Sequence, residues 1–451
     1  MFFVFRKTKI AVIFLQRNLF IFGVGIFLGI GFFLLRSQLE ALLRNFLPSQ
    51  VSVGILGKYR IGRLPKEVAE LTSFGLTKLS TNNTPQKGAA LSWEVKEQGK
   101  QYLFHLDPLL HWQDGSPLLS KDIQLDIEAA SVEYPDGYSI LVSIEKPFSP
   151  LPSLVANPLL KKGLIGLGDY QIEKVFSSAG YISYLSLKAS RHGLDPKKIT
   201  FRFYPDQESL VAAFKLGEVD CVRDLDSIEL LRSWENLRIT PVKESASRYV
   251  ALFFNTRKEP FSDKSVRQAL AYAFQKPEEG ARAFGPISPL SWAYNPNVKT
   301  YPFDPDRART LLKELELTSL ELQVTTTYDL ADWAEKIKDN WEKELGIKVN
   351  LLISPYISDK ENFDIILGYG LIPSDPDQYP FWHSNEAGNI TGFSNPRIDK
   401  LLEDGRATLN KDERKNIYHD FQRYLLEELP AIFLFHPTTY QICRPNAIEL
   451  N

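Results

Sequence analysis

The apolar positions fall into distinct regimes along the chain. Leu19 to Leu35 (LFIFGVGIFLGIGFFLL) is an uncharged apolar run of 17 residues. At about 1.5 Å per residue, with slack from its flanks, such a run just crosses a ~30 Å hydrocarbon layer. Leu39, Leu42, Leu43, Phe46 and Leu47 then keep helical spacing until Pro48, which predicts a short stalk. From Val51 the pattern shifts to short alternating or apolar runs. QYLFHL (101–106), YSILVSI (138–144) and ISYLSLKA (182–189) predict strands, with turns at QDG, YPDG and RHGLDP.

In the second half the period lengthens. Asp304 and Pro305 supply the N-cap and first residue of a helix through RARTLLKELEL, and LELQVTTT follows as a strand. Trp333, Ile337, Trp341 and Leu345 recur every four residues up to a helix stop at Gly346. IKVNLLI and DIILGYG (364–370) predict two more strands, the second buried. Asn395 with Pro396 opens one helix, and Asn410 with Glu413 opens another reaching Glu428; AIFLF (431–435) closes the pattern. Alternating strands and helices predict an α/β lobe with a covered sheet. GYGLIPSDPDQYPFW (368–382) leaves the carboxyl end of a strand, where open α/β sheets hold their ligands.

A length of 451 residues exceeds what one core supports, so two lobes are expected. Net charge is −2 with Lys and Arg scattered, which lacks the basic stripe of a nucleic-acid partner. Arg6, Lys7, Lys9 and Arg17 precede the apolar run, while only Arg36 and Arg44 follow closely. Positive-inside bias then places the N-terminus in the cytoplasm and the rest outside the cell membrane. A cleaved signal peptide is the alternative. The run is longer than an ordinary h-region and no A-x-A-like site follows, so an uncleaved single-pass anchor over residues 1–48 is expected. Cys221 and Cys443 read as two separate thiols, with one long-range bridge as the alternative. The six histidines form no H-E-x-x-H, and neither G-x-S-x-G nor a P-loop occurs. His111 beside Trp112 and His383 after Trp382 are the only ones near notable sequence; a non-enzyme without cofactor or metal is expected.

Five stretches carry a more specific pattern. ALSWEVKEQGKQYLFHLDPLLHWQDGSPLLSKDI (90–123) contains W-x-D-G-x-P-L-x-x-x-D on Trp112, Asp114, Gly115, Pro117, Leu118 and Asp122. ITFRFYPDQESLVAAFKLGEVDCV (199–222) ends in L-x-x-G-E-x-D, and LFFNTRKEPFSDKSVRQALAYAFQK (252–276) holds N-T, P-F-x-D and V-R-Q-A-L-A-Y-A. GPISPLSWAYNPNVKTYPFDPDRARTLLKE (285–314) and GNITGFSNPRIDKLLEDG (388–405) complete the series. In this order they resemble the extracellular solute-binding proteins of the peptide/nickel class, family 5, which deliver ligands to ABC transporters. The resemblance implies a two-lobed, hinged α/β fold of the periplasmic-binding-protein type (type II). Lobe I would span 49–252, with 436–451 returning to it, and lobe II 253–435. Hinges would lie near Leu252 to Thr256 and near Phe435 to Pro437. Implied partners are a peptide or other small solute and ABC permease subunits. The residues singled out for the ligand are Asn255, Tyr369, Gly370, Leu371, Ile372, Asp375 and Trp382.

The chain departs from the family at informative places. Peptide-binding members neutralise the ligand's amino group with an aspartate three residues before a D-P pair; here that position is Ile372, before Asp375 and Pro376, and Tyr369 replaces a tryptophan. A buried ammonium without a counter-charge costs several kcal/mol, so free-amine recognition is expected to be lost. Asp375 and Asp377 either take over that role or cap a helix starting around Pro376. The backbone of Tyr369 to Leu371 remains able to pair with an extended ligand by strand addition. The stretch after Asp122 is short, the start of lobe I is abbreviated, and Asp169 stands where the family has proline, which implies a reduced wall over the ligand. Arg267 reads as a surface or interlobe pairing residue, with Ser262 or Asp263 capping its helix, and Trp112 and Asp114 as packing and turn residues. A sensor or scaffold that keeps the fold without transport is the alternative function.

Overall fold

In a computed structural model the described residues are 49–448 and 450, apart from 61–62, 163, 244–246, 278–281, 318–319 and 358–361. The expected anchor and stalk, residues 1–48, lie outside them. Among the described residues no helix is long and apolar enough to cross a membrane.

The chain runs from β1 (Gln50–Leu56) and α1 (Lys66–Thr72) into a small unit. That unit contains β2 (Thr77–Leu79), β3 (Pro85–Lys87), β4 (Ala90–Lys96), β5 (Gln101–Leu106), β6 (Ala130–Asp136), β7 (Ser139–Ile144) and α2 (Leu151–Leu154). It then forms β8 (Tyr170–Ser178), β9 (Tyr181–Ala189), β10 (Lys198–Tyr204), α3 (Gln207–Leu216), β11 (Cys221–Leu225) and β12 (Arg238–Lys243). Next come β13 (Arg248–Phe254), α4 (Lys264–Tyr272), α5 (Pro305–Glu314), β14 (Glu321–Thr327), α6 (Ala331–Leu345) and β15 (Lys348–Ser354). β16 (Ile365–Leu371), α7 (Tyr379–Trp382), α8 (Pro396–Ala407), α9 (Lys411–Glu428), β17 (Ala431–Phe435) and β18 (Thr438–Cys443) complete it.

Two mixed sheets define the lobes. Lobe I holds a seven-stranded sheet in the order β12-β18-β11-β1-β10-β9-β8, with β10, β1 and β11 parallel at its centre. Lobe II holds five strands in the order β15-β14-β16-β13-β17. Alternate residues of β13 feed opposite faces of this sheet, as strand geometry requires. Val250, Leu252 and Phe254 pack with α4, α5 and α6, whereas Tyr249, Ala251 and Phe253 pack with α8 and α9. The small unit is a four-stranded antiparallel sheet, β4-β5-β7-β6, beside the β2-β3 hairpin.

Three expectations are corrected here. The first crossing between lobes falls between β12 and β13, not at 252–256. β13 is paired on both sides, by β16 and β17, and buried from Tyr249 through Phe254. A strand apolar on both faces belongs at the centre of a sheet. The return crossing is 436–437, between β17 and β18. Secondly, the cysteines are not separate thiols. β18 lies between β11 and β12, which sets Cys443 opposite Cys221 in register, and the two form a disulfide. Thirdly, Arg267 is neither at the surface nor between lobes. It is 2% exposed and donates to the carbonyls of Leu429 at 3.0 Å and Glu428 at 2.6 Å, and also to Phe261. The guanidinium thus serves the carbonyls at the end of α9, where a cation is favoured. Asp263, rather than Ser262, caps α4. Trp112 is core and Asp114 closes a turn on the Ser116 amide.

Candidate functional site

The carboxyl ends of β11 in lobe I and of β16 in lobe II are linked through Arg248. On the lobe I side, Leu56 ends β1 and Asp224 and Asp226 lie at the end of β11. With Tyr59, Glu67 and Arg248 they border a polar cavity of about 350 Å³. Arg248, the first residue of β13, reaches back to Asp226 at 3.7 Å and sits 5.0 Å from the Tyr369 ring. The Tyr369 hydroxyl donates to Asp329 Oδ2 at 2.7 Å. Burial, and then the Asp329 carboxylate, hold this phenol far above its usual pKa, so it stays a donor.

β16 carries the predicted ligand stretch. A Cβ on Gly370 would lie 2.1 Å from the buried Tyr249 ring, so only glycine lets that ring cross the strand here. β14 pairs with β16 only at Ile365 and Ile366, while β13 follows it through Leu371. Among the described residues no strand therefore covers the β14-side edge from Gly368 to Leu371. Beside this strip is an apolar cavity of about 260 Å³, bordered by Tyr249, Phe253, Tyr369, Gly370, Leu371 and Trp382, with others. Leu371 is 64% exposed, whereas Trp382 is buried and its indole N–H has no hydrogen-bond partner among the described residues. Such an orphaned donor costs about 1–3 kcal/mol unless something accepts from it.

The remaining predicted residues lie apart from this cavity. Ile372 turns into the lobe II core with Tyr249 and Trp382, and its amide donates to Ser247 O at 2.8 Å. Asn255 is 2% exposed and its side-chain amide donates to Phe363 O at 2.9 Å. Ser374 borders a cavity of about 380 Å³ together with Lys66, Glu70, Phe74 and Asn157 of the first half of the chain.

Neither aspartate of the loop caps a helix at Pro376. α7 starts at Tyr379, whose amide donates to Asp377 Oδ1 at 3.2 Å, and each aspartate is half of an ion pair, that of Asp375 buried and that of Asp377 partly so. Asp375 accepts from Arg414 Nη1 at 2.9 Å and Nη2 at 2.5 Å, and from Ser153 of the small unit at 3.2 Å. It also closes a turn by accepting from the Asp377 amide. Asp377 accepts from Arg406 Nε at 2.9 Å, and that guanidinium lies 3.9 Å from the Tyr379 ring centre. Burial, partly offset by Arg406, pushes the Asp377 carboxyl up. Sequence reasoning did not find Arg406 or Arg414. One local sign of Arg414 exists: it is a cation in the first turn of α9, where the helix dipole disfavours one.

His383 stacks on Tyr379 at 4.1 Å and its Nδ1 accepts from the Asn385 amide, while His111 Nδ1 meets Leu109 O at 2.9 Å. Both are engaged locally. Among the described residues no group of three His, Cys, Asp or Glu side chains is placed to hold a metal ion.

Two α/β lobes joined by two crossings, with a polar gap at their strand ends, define a solute receptor. The family described as bacterial extracellular solute-binding proteins, family 5 Middle, matches residues 124–391, more than half of the chain, and the chain belongs to it. Its members are substrate-binding proteins of ABC transporters. The chain is similar to the dipeptide-binding protein of Escherichia coli K12, 23% identical over 440 residues, covering 79% of this chain and 82% of that protein. It is also similar to heme-binding protein A of Haemophilus influenzae, 24% identical over 483 residues, covering 86% and 87%. The fold is similar to NikZ of Campylobacter jejuni in complex with Ni(L-His), at TM-score 0.70 and 24% identity over 87% of this chain and 94% of that one. AppA of Bacillus subtilis in complex with a nonapeptide gives TM-score 0.65 and 19% identity over 89% and 95%.

Proposed function

We propose that this protein is a membrane-anchored extracytoplasmic receptor that closes its lobes on an extended, apolar, peptide-like solute and hands it to an ABC permease. The observation that carries this reading is the uncovered edge at 368–371 beside an apolar cavity of about 260 Å³. A ligand strand takes main-chain hydrogen bonds along the edge and places one bulky side chain in the cavity. A ligand carbonyl accepts from the Trp382 indole. The charges of Asp375 and Asp377 are already matched by Arg414 and Arg406, and Ile372 points into the core. No carboxylate of the loop is left for a ligand ammonium, so a blocked or internal amine is the better fit. Leu19 to Leu35 would hold the receptor at the membrane, and the Cys221–Cys443 disulfide suits an oxidising compartment outside the cytoplasm.

Calorimetric titration of the purified protein tests this with an N-acetylated apolar tripeptide, its free-amine form and nickel–histidine. The acetylated peptide should bind at least as tightly as the free amine, and Trp382→Phe should weaken both. A preference of about tenfold or more for the free amine, or binding of nickel–histidine alone, overturns the assignment.

A further inference from the structure

Another cavity, of about 240 Å³, opens beside the Asp375–Arg414 pair, where the small unit meets the start of α9. It shares no lining residue with the cavity at Trp382. Trp93 and Tyr102 border it from the four-stranded sheet, and Trp292 and Leu409 from lobe II. Lys411 spans the two sides: its ammonium donates to Thr84 Oγ1 at 3.0 Å and lies 5.4 Å from the Trp292 ring centre. The cavity's other cation, Arg414, is neutralised by Asp375, whereas no carboxylate among the described residues pairs with Lys411.

We propose that this cavity is a second binding site, and that its ligand is a small aromatic carboxylate. The aromatic walls hold the ring and Lys411 holds the carboxylate. Size agrees, since an apolar cavity of ~150 Å³ already accommodates benzene, and the excess here admits a short acid arm. Magnitudes favour an aromatic acid over a bare anion. A partly exposed ion pair contributes little by itself, so ring burial has to supply most of the affinity. The ligand touches the small unit and lobe II together, so occupancy favours the arrangement in which they are in contact.

Calorimetric titration of the full-length protein with indole-3-acetate and the neutral indole-3-acetamide tests the site. The acid should bind saturably and the amide about tenfold more weakly. Lys411→Met should bring the acid down to the amide's affinity. Leu409→Glu alters a residue that is 45% exposed, so the fold tolerates it, and the added carboxylate should abolish binding of the acid. Both variants should bind the acetylated tripeptide as the parent does, which separates this site from the gap. Absence of saturable binding at millimolar acid, equal affinity for acid and amide, or full binding retained in both variants would each overturn the proposal.

Discussion

At Gly370 the Tyr249 ring occupies the space a side chain would need, and that ring is itself 2% exposed. Gly370→Ala therefore forces the ring or the strand to move, which overpacking data put at about 1–3 kcal/mol. Urea unfolding should show that loss of stability, with peptide binding weakened as the cavity wall shifts. Asp375 presents the opposite case, a buried charge defined by its partner. Removing it alone, as Asp375→Ala, strands the Arg414 guanidinium, and breaking such a pair costs about 3–5 kcal/mol. The double variant Asp375→Ala/Arg414→Met removes both charges and should recover most of that loss in the same measurement. If the single and double variants are equally unstable, the pair is not what holds the loop.

Among the elements, the connection between β17 and β18 carries a titratable link to the other crossing. His436 is 8% exposed and its Nδ1 meets the Arg248 carbonyl at 3.0 Å, at the start of β13. Burial lowers its pKa, against a smaller opposing effect of that hydrogen bond. Below about pH 6.5 the unfolded chain takes up this proton more readily than the folded one. The contribution to stability is complete above that pH and is lost as the pH falls through the depressed folded value. The melting temperature should drop on acidification, and His436→Gln should flatten that slope relative to the parent; an unchanged slope would refute the link. Elements such as QYLFHL and AIFLF were legible because alternation and apolar runs are local, and they reappear with the same bounds as β5 and β17. The caps Asp304, Asn395 and Asn410 were legible for the same reason. Those things that depend on register between distant segments were not. The ion-pair partners of Asp375 and Asp377, the place of β13 between two strands, and the pairing of the cysteines are all of that kind.

For the whole molecule, the small unit belongs to the first half of the chain yet grips lobe II. The Ser149 amide donates to Arg406 O at 2.7 Å, Ser153 donates to Asp375, and Lys411 donates back to Thr84. Those contacts join the supports of the 368–382 loop to the unit opposite, so the positions of the two are mechanically linked. The Cys221–Cys443 bridge spans 222 residues and encloses both crossings and all of lobe II. Reducing it should lower unfolding free energy by about 2–5 kcal/mol, measured by urea titration with and without reductant. A single protease nick anywhere inside that enclosed stretch would sever the backbone without parting the pieces. On an electrophoresis gel the nicked receptor would run as one band until thiol is added, and then as two.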